Sequence, residues 1–389
     1  GGFVGVDVFF VISGYLITTI LIEDIEKNRF SIANFYERRA RRILPALFFV
    51  MLVCIPFAWM WMLPDPLENF GQSIVATTLS ANNVLLYLTS GYWDLASEFK
   101  PLLHTWSLGV EEQYYVVFPL LLLLTWRLGK SVTLASIICL SVLSFAISEW
   151  LSRENPEAAF FLIHTRAWEL FAGSLAAFAV HKQGVKKNNL LALIGLAAII
   201  FSIFFYDETT PFPSVYALVP VLGVVLLVLY ADKETLAAKL LSIKGFVGIG
   251  LISYSTYLWH QPLFAFAKIY QQTEPSYQVN ITLIVATFVL SYGSWRYIEK
   301  PFRNKSVVTF KVLLVTIVIS LLGLLGFGYA AHKSHGFIDR VFDASVSSED
   351  MYISYNQRNF SYKADSFTTE LEPKVLVIGN SFGRDFVNV

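Results

Sequence analysis

Several sets of residues have types and spacings that could do chemistry. The first is the run Arg38, Arg39, Arg41 and Arg42, interrupted only by Ala40. On a helix, Arg38, Arg41 and Arg42 share one face. Three guanidinium forks on one face suit a polyanion with several phosphates, such as coenzyme A. The same cluster also fits a segment that sets membrane orientation or binds anionic lipid. The second set lies in His104-Thr105-Trp106-Ser107-Leu108-Gly109-Val110-Glu111-Glu112-Gln113-Tyr114-Tyr115. If this stretch is helical, His104, Ser107 or Leu108, Glu111 and Tyr115 line one stripe, and a His–Glu pair could serve in acid–base work. Glu111 and Glu112 could equally be acids that offset the dipole of a helix start.

Arg166 and Glu169, at i and i+3, form a third set, read either as an internal ion pair or as a functional pair. Ser253, Thr256, Tyr257 and His260 form a polar stripe in an otherwise apolar run. Such a stripe lines either a cavity or a hydrogen-bonded seam between helices. Asp7 stands alone among Gly1, Gly2, Gly5 and Gly14, as a surface cap or pair or as a functional group. Tyr297, Glu299, Pro301 and Arg303 end an apolar run and read first as a helix stop. No metal site is expected.

The elements that must position these groups are membrane helices. Of 389 residues, 55% are apolar and 15% charged, and the mean hydropathy is +0.57. A soluble protein carries about 25% charge, so a soluble enzyme is excluded. Lys and Arg number 29, as do Asp and Glu, so no basic surplus is present to bind nucleic acid. Cys54 and Cys139 both lie inside apolar runs, which argues against a disulfide framework.

Crossing the hydrocarbon takes about 20 apolar residues as helix. Ten runs qualify, at about 3–22, 44–63, 107–126, 131–150, 163–181, 190–206, 212–230, 246–267, 279–297 and 309–331. A weaker run, 71–90, holds Asn82 and Asn83 and is expected to be re-entrant or buried, because amides in lipid need internal partners. If 71–90 does not cross, 17 Lys and Arg gather on one side, with only Lys100, Arg153 and Lys268 on the other. That bias makes the arginine side cytoplasmic and puts the tail after about 331 outside. Residues 332–374 read as an extracytoplasmic linker. Val375-Leu376-Val377-Ile378-Gly379 reads as a buried strand, running into a turn at Asn380-Ser381-Phe382-Gly383 that could present Ser381.

Five stretches together resemble the membrane-bound acyltransferase family 3. They are 1–18 (GGFVGVDVFFVISGYLIT), 35–45 (FYERRARRILP), 103–115 (LHTWSLGVEEQYY), 252–260 (ISYSTYLWH) and 297–303 (YIEKPFR). Residues 375–381 (VLVIGNS) resemble the first block of an SGNH hydrolase-like domain. The whole is most similar to bacterial enzymes that O-acetylate lipopolysaccharide O-antigen. The resemblance implies an all-α polytopic membrane protein of the bacterial cytoplasmic (inner) membrane. Residues 1–331 would be the transferase domain. A further helix with a catalytic histidine is expected before Gly1, making eleven spans, and 375–389 would begin an α/β domain on the periplasmic side.

The resemblance further implies acetyl-CoA as donor, held by Arg38, Arg39, Arg41 and Arg42. The acceptor would be an extracytoplasmic carbohydrate, near Trp106, Tyr115, Arg166, Glu169 and Tyr257. Glu111, Glu112, His260 and Ser381 are the candidate catalytic residues, and membrane lipid is the surrounding partner. Asn380 departs from the SGNH pattern, where Asp is usual. Ser381 would need an Asp and a His that are not among residues 1–389. A multi-span transporter or flippase is the alternative, for which intramembrane charges are ordinary.

Overall fold

The computed structural model describes residues 1–90, 97–207 and 210–341. Every regular element among them is helical. The strand expected at 375–379, Ser381 and the linker 332–374 beyond Val341 lie outside the described residues.

The chain starts with α1 (Val4–Glu26) and α2 (Ile32–Trp61). Ser31 caps α2 by accepting from the Asn34 amide, which satisfies one of the free N–H groups at a helix start. Next come α3 (Pro64–Thr78) and α4 (Asn82–Thr89). Ser80 between them has a positive φ of 55° and breaks the run. At about 1.5 Å per residue α3 is roughly 22 Å long, short of the roughly 30 Å of hydrocarbon. The segment 71–90 is therefore a broken pair of short helices.

Its two asparagines are fully buried and are used as ties. Asn82 donates to the Leu102 carbonyl at 3.0 Å and to Thr105 Oγ1 at 2.8 Å. Asn83 donates to the Phe161 carbonyl at 3.1 Å and accepts from Gln113 Nε2 at 2.9 Å. These bonds fix the start of α5 (Thr105–Trp126), which carries the His104–Tyr115 stretch.

The next helices are α6 (Lys130–Glu154), α7 (Pro156–Phe161), α8 (Ile163–Gln183), α9 (Asn189–Phe205), α10 (Leu218–Tyr230) and α11 (Leu236–Leu241). Then come α12 (Lys244–Gln271) and α13 (Tyr277–Ser294). A π-helical turn, Trp295–Glu299, continues into α14 (Lys300–Arg303), and α15 (Phe310–Lys333) follows. Each of the ten apolar runs falls on a helix. Among the described residues, six helices have both the length and the apolarity to cross a membrane: α1, α2, α5, α6, the continuous Tyr277–Arg303 and α15. Of the other four, α9 and Val215–Tyr230 are shorter. The remaining two, α8 and α12, are long enough but carry the polar sets at Arg166 and at Ser253–His260.

The tightest helix pair is α1 with α8. A Cβ at Gly14 would lie 1.9 Å from the Leu170 carbonyl oxygen, and one at Gly173 would lie 2.0 Å from that of Val11. Only glycine allows the two backbones this close, and lipid offers no hydrophobic drive to replace that packing. Across the seam Thr18 donates to Ser174 Oγ at 2.7 Å.

Candidate functional site

A cavity of about 710 Å³ opens between α1, α2, α5 and α12. Its polar wall is one stripe of α5 and the residue before it: His104, Ser107, Glu111 and Tyr115. The spacings of three and four put them on one face, as the sequence implied. At about 1.5 Å per residue, the stripe is roughly 16 Å long from His104 to Tyr115.

One end of the stripe is basic. Arg39 and Arg42 of α2 line it, and Arg39 Cζ lies 5.6 Å from the centre of the Tyr115 ring. Arg39 Nε is buried with no hydrogen-bond partner, and Arg42 is exposed at the rim. This corrects the face expected for the cluster. Arg38 pairs instead with Asp24 at 3.0 Å. Arg41 is only 3% exposed; it meets Glu37 at 2.8 Å and donates to the carbonyls of Phe302 at 3.1 Å and Val308 at 2.7 Å. It ties α2 to the α14–α15 connection and has no free face for a ligand.

Glu111 sits in the middle of the stripe, 4% exposed. Its Oε1 accepts from both the Ser13 hydroxyl and the Tyr115 hydroxyl. Ser13 lies in the 1–18 stretch, but no spacing rule links it to Glu111; it comes from α1, which packs against α8 and faces α5. Glu112 does not line the cavity. Successive helical residues are about 100° apart, and that step turns the Glu112 carboxyl out of the lining here. The pair expected to share the work therefore separates, with Glu111 inside and Glu112 behind.

The other end of the stripe holds two imidazoles. His104 and His260 pack edge to face with ring centres 5.2 Å apart. Tyr257 donates to the His104 carbonyl at 2.6 Å and lies 3.1 Å from Ser107 Oγ. Gln261 donates to the Lys100 carbonyl at 3.1 Å, holding α12 to the approach of α5. Ser253, Tyr254, Thr256, Tyr257, His260 and Gln261 all line the cavity. The α12 stripe fits both readings: it lines the cavity, and Tyr257 makes a hydrogen-bonded seam with α5.

Trp106 and Phe160 close the wall near the histidines, with ring centres 4.6 Å apart. Arg166 lies behind them, its Cζ 5.6 Å from the Trp106 ring and 6.0 Å from the Phe160 ring. It pairs with Glu169 at 3.2 Å and with Asp7 at 3.2 Å, and all three are fully buried. Arg166 and Glu169, expected to contact substrate, do not line the cavity. They face the α1–α8 seam and stiffen the wall from behind. Asp7 is their third member and is neither a surface cap nor a cavity residue. Glu299 of the π-helical turn is also buried; it accepts from Ser255 and pairs with Arg303 at 2.8 Å. That turn is therefore more than a helix stop.

Among the described residues no group of three or more His, Cys, Asp or Glu could hold a metal ion. An elongated cavity with cations at one end, a carboxylate in the middle and imidazoles at the other suits transfer of a group from an anionic donor to a neutral acceptor.

Residues 1–298 match the family described as the acyltransferase domain. The chain is 31% identical over 331 residues to the peptidoglycan O-acetyltransferase OatA of Listeria monocytogenes, covering 80% of this chain and 53% of that protein. It is 30% identical over 333 residues to the O-acetyltransferase OatA of Staphylococcus aureus, covering 80% and 54%. It is 28% identical over 330 residues to the putative peptidoglycan O-acetyltransferase YrhL of Bacillus subtilis, covering 80% and 52%. The chain thus spans about half the length of the curated relatives it matches. No solved structure matches it.

Proposed function

The chain belongs to the acyltransferase family whose domain matches residues 1–298, and from that premise we propose that it moves an acetyl group from cytoplasmic acetyl-CoA to a hydroxyl of a cell-envelope carbohydrate. The names of the relatives favour peptidoglycan over O-antigen as the acceptor. The observation that carries the reading is the pairing of Arg39 and Arg42 with the Glu111 stripe in one cavity. Phosphates are anionic and offer several acceptor oxygens, which suits two guanidinium groups not engaged by a carboxylate. The bias of 17 basic residues against three supports a cytoplasmic position for that end. The thioester would extend from there along the stripe toward the histidines. On this reading all ten apolar helices cross the membrane and the tail is outside.

Glu111 would accept a hydrogen bond from the reacting centre while Ser13 and Tyr115 hold it in place. The C–S bond breaks, a C–O bond forms, and the hydroxyl proton must find a base. Ser381 would then belong to an outside domain that receives or positions the acyl group. The deciding experiment uses the full-length protein in sealed vesicles with radiolabelled acetyl-CoA on the arginine side. Label should appear in peptidoglycan fragments on the opposite side. Acetyl-CoA consumption without label in glycan, at wild-type sequence, would refute the reading.

A further inference from the structure

His104 is 8% exposed and lines the cavity, yet neither of its ring nitrogens has a hydrogen-bond partner. A buried polar atom without a partner is costly, so two on one ring mark a place where a ligand completes the bonding. His260, its edge-to-face neighbour, differs. Its Nδ1 lies 2.6 Å from the Tyr257 carbonyl. A carbonyl can only accept, so Nδ1 carries the proton, and in the neutral ring Nε2 carries the lone pair. The pair therefore offers one fixed base and one ring able both to donate and to accept. It stands roughly 16 Å along the stripe from the arginine end, by the helical rise.

We propose that His104 and His260 form a two-point site for a sugar acceptor, with His260 taking the proton of the attacked hydroxyl and His104 holding an oxygen next to it. This rests on the acyltransfer reading above and adds the acceptor side to it. The acceptor O–H bond breaks and its proton goes to Nε2 of His260. The oxygen forms the new bond to the acyl carbon. The thioester C–S bond breaks, sulfur leaves with the electron pair, and the thiolate takes the proton from Nε2 of His260, which returns the ring to its neutral form. A vicinal diol or a hydroxyl beside a ring substituent satisfies His104, whereas a simple alcohol leaves it unpartnered. Trp106, packed against Phe160, closes the cavity wall beside the pair.

The test uses the full-length protein in vesicles with labelled acetyl-CoA and soluble peptidoglycan fragments. His260→Ala should lower turnover by about 100-fold or more, the usual yield of a positioned base, with the donor KM unchanged. Added imidazole should restore activity in proportion to its concentration, because it can occupy the space left in the cavity. His260→Asn keeps a donor to the Tyr257 carbonyl but has no base, and it should be as inactive as His260→Ala. His104→Ala should raise the acceptor KM about 10-fold and leave the donor KM alone, the mark of a residue that binds the acceptor. Turnover of His260→Asn within threefold of wild type would overturn the proposal, as would an imidazole-insensitive His260→Ala. A wild-type protein that labels no glycan would instead count against the acyltransfer reading itself.

Discussion

Asp7 and Arg166, 159 positions apart, meet at 3.2 Å in the α1–α8 seam with neither side chain exposed to more than 1%. Glu169 joins them, so one guanidinium is shared by two carboxylates in a dry site. Removing the cation leaves two buried carboxyl groups with no cation beside them, which costs about 3–5 kcal/mol for a broken buried pair. Arg166→Met should therefore sharply lower the melting temperature of the purified protein in detergent. Asp7→Asn keeps Arg166 beside Glu169 and should be far milder. Equal melting temperatures for the two variants would contradict the charge balance.

Donor binding should divide the arginine cluster. Arg39→Ala or Arg42→Ala should raise the acetyl-CoA KM about 10- to 100-fold, the effect of losing a charge-assisted bond of about 1.5–3 kcal/mol. Arg38→Ala removes a half-exposed pair with Asp24 and should leave that KM unchanged. Arg41→Ala should reduce stability, because two carbonyls lose their partner and Glu37 keeps only Lys305. Steady-state kinetics beside a melting curve separate these outcomes. A normal KM in Arg42→Ala would return the cluster to a lipid-binding or orienting role.

The two adjacent glutamates should behave differently. Glu111→Gln keeps the shape but replaces one oxygen of the carboxyl group that gathers Ser13 and Tyr115 with a donor NH2. It should lower kcat by about 100-fold or more. Glu112→Gln should retain most activity, since that side chain stays out of the cavity. Both variants should assemble normally in the membrane. Matching losses would mean that orientation within α5 does not decide their roles.

Topology can be read with single cysteines placed in a Cys54→Ala, Cys139→Ser background. Thr273→Cys lies between α12 and α13, and Ser306→Cys lies between α14 and α15. An impermeant maleimide added to intact cells should label Thr273→Cys and spare Ser306→Cys until lysis. The reverse pattern would place Arg39 and Arg42 outside and end the acetyl-CoA assignment.

Much of the architecture was legible because it depends on short-range rules. Each apolar run became a helix, the amide-rich run 71–90 broke into two, and the His104, Ser107, Glu111, Tyr115 stripe follows from helical periodicity within one segment. The Arg166–Glu169 pair follows from the same rule.

What the sequence could not decide is how each helix is turned about its own axis. In water the apolar face of a helix points inward, so composition reports orientation. In lipid both the packed and the exposed faces are apolar, and that signal is lost. Leu124 and Val117 on α5 are exposed while Leu122 and Phe118 are buried, though all four are hydrophobic. Tertiary packing alone chose Arg39 and Arg42 over Arg38 and Arg41, and Glu111 over Glu112. It also brought Ser13 to Glu111 across 98 residues and set His260 beside His104. The sequence by itself determined which helices form and which residues share a face within each. Backbone contact at Gly14 and Gly173, with the buried ties of Asn82 and Asn83, decided which faces meet, because close packing and satisfied polar groups fix helix rotation where hydrophobicity cannot.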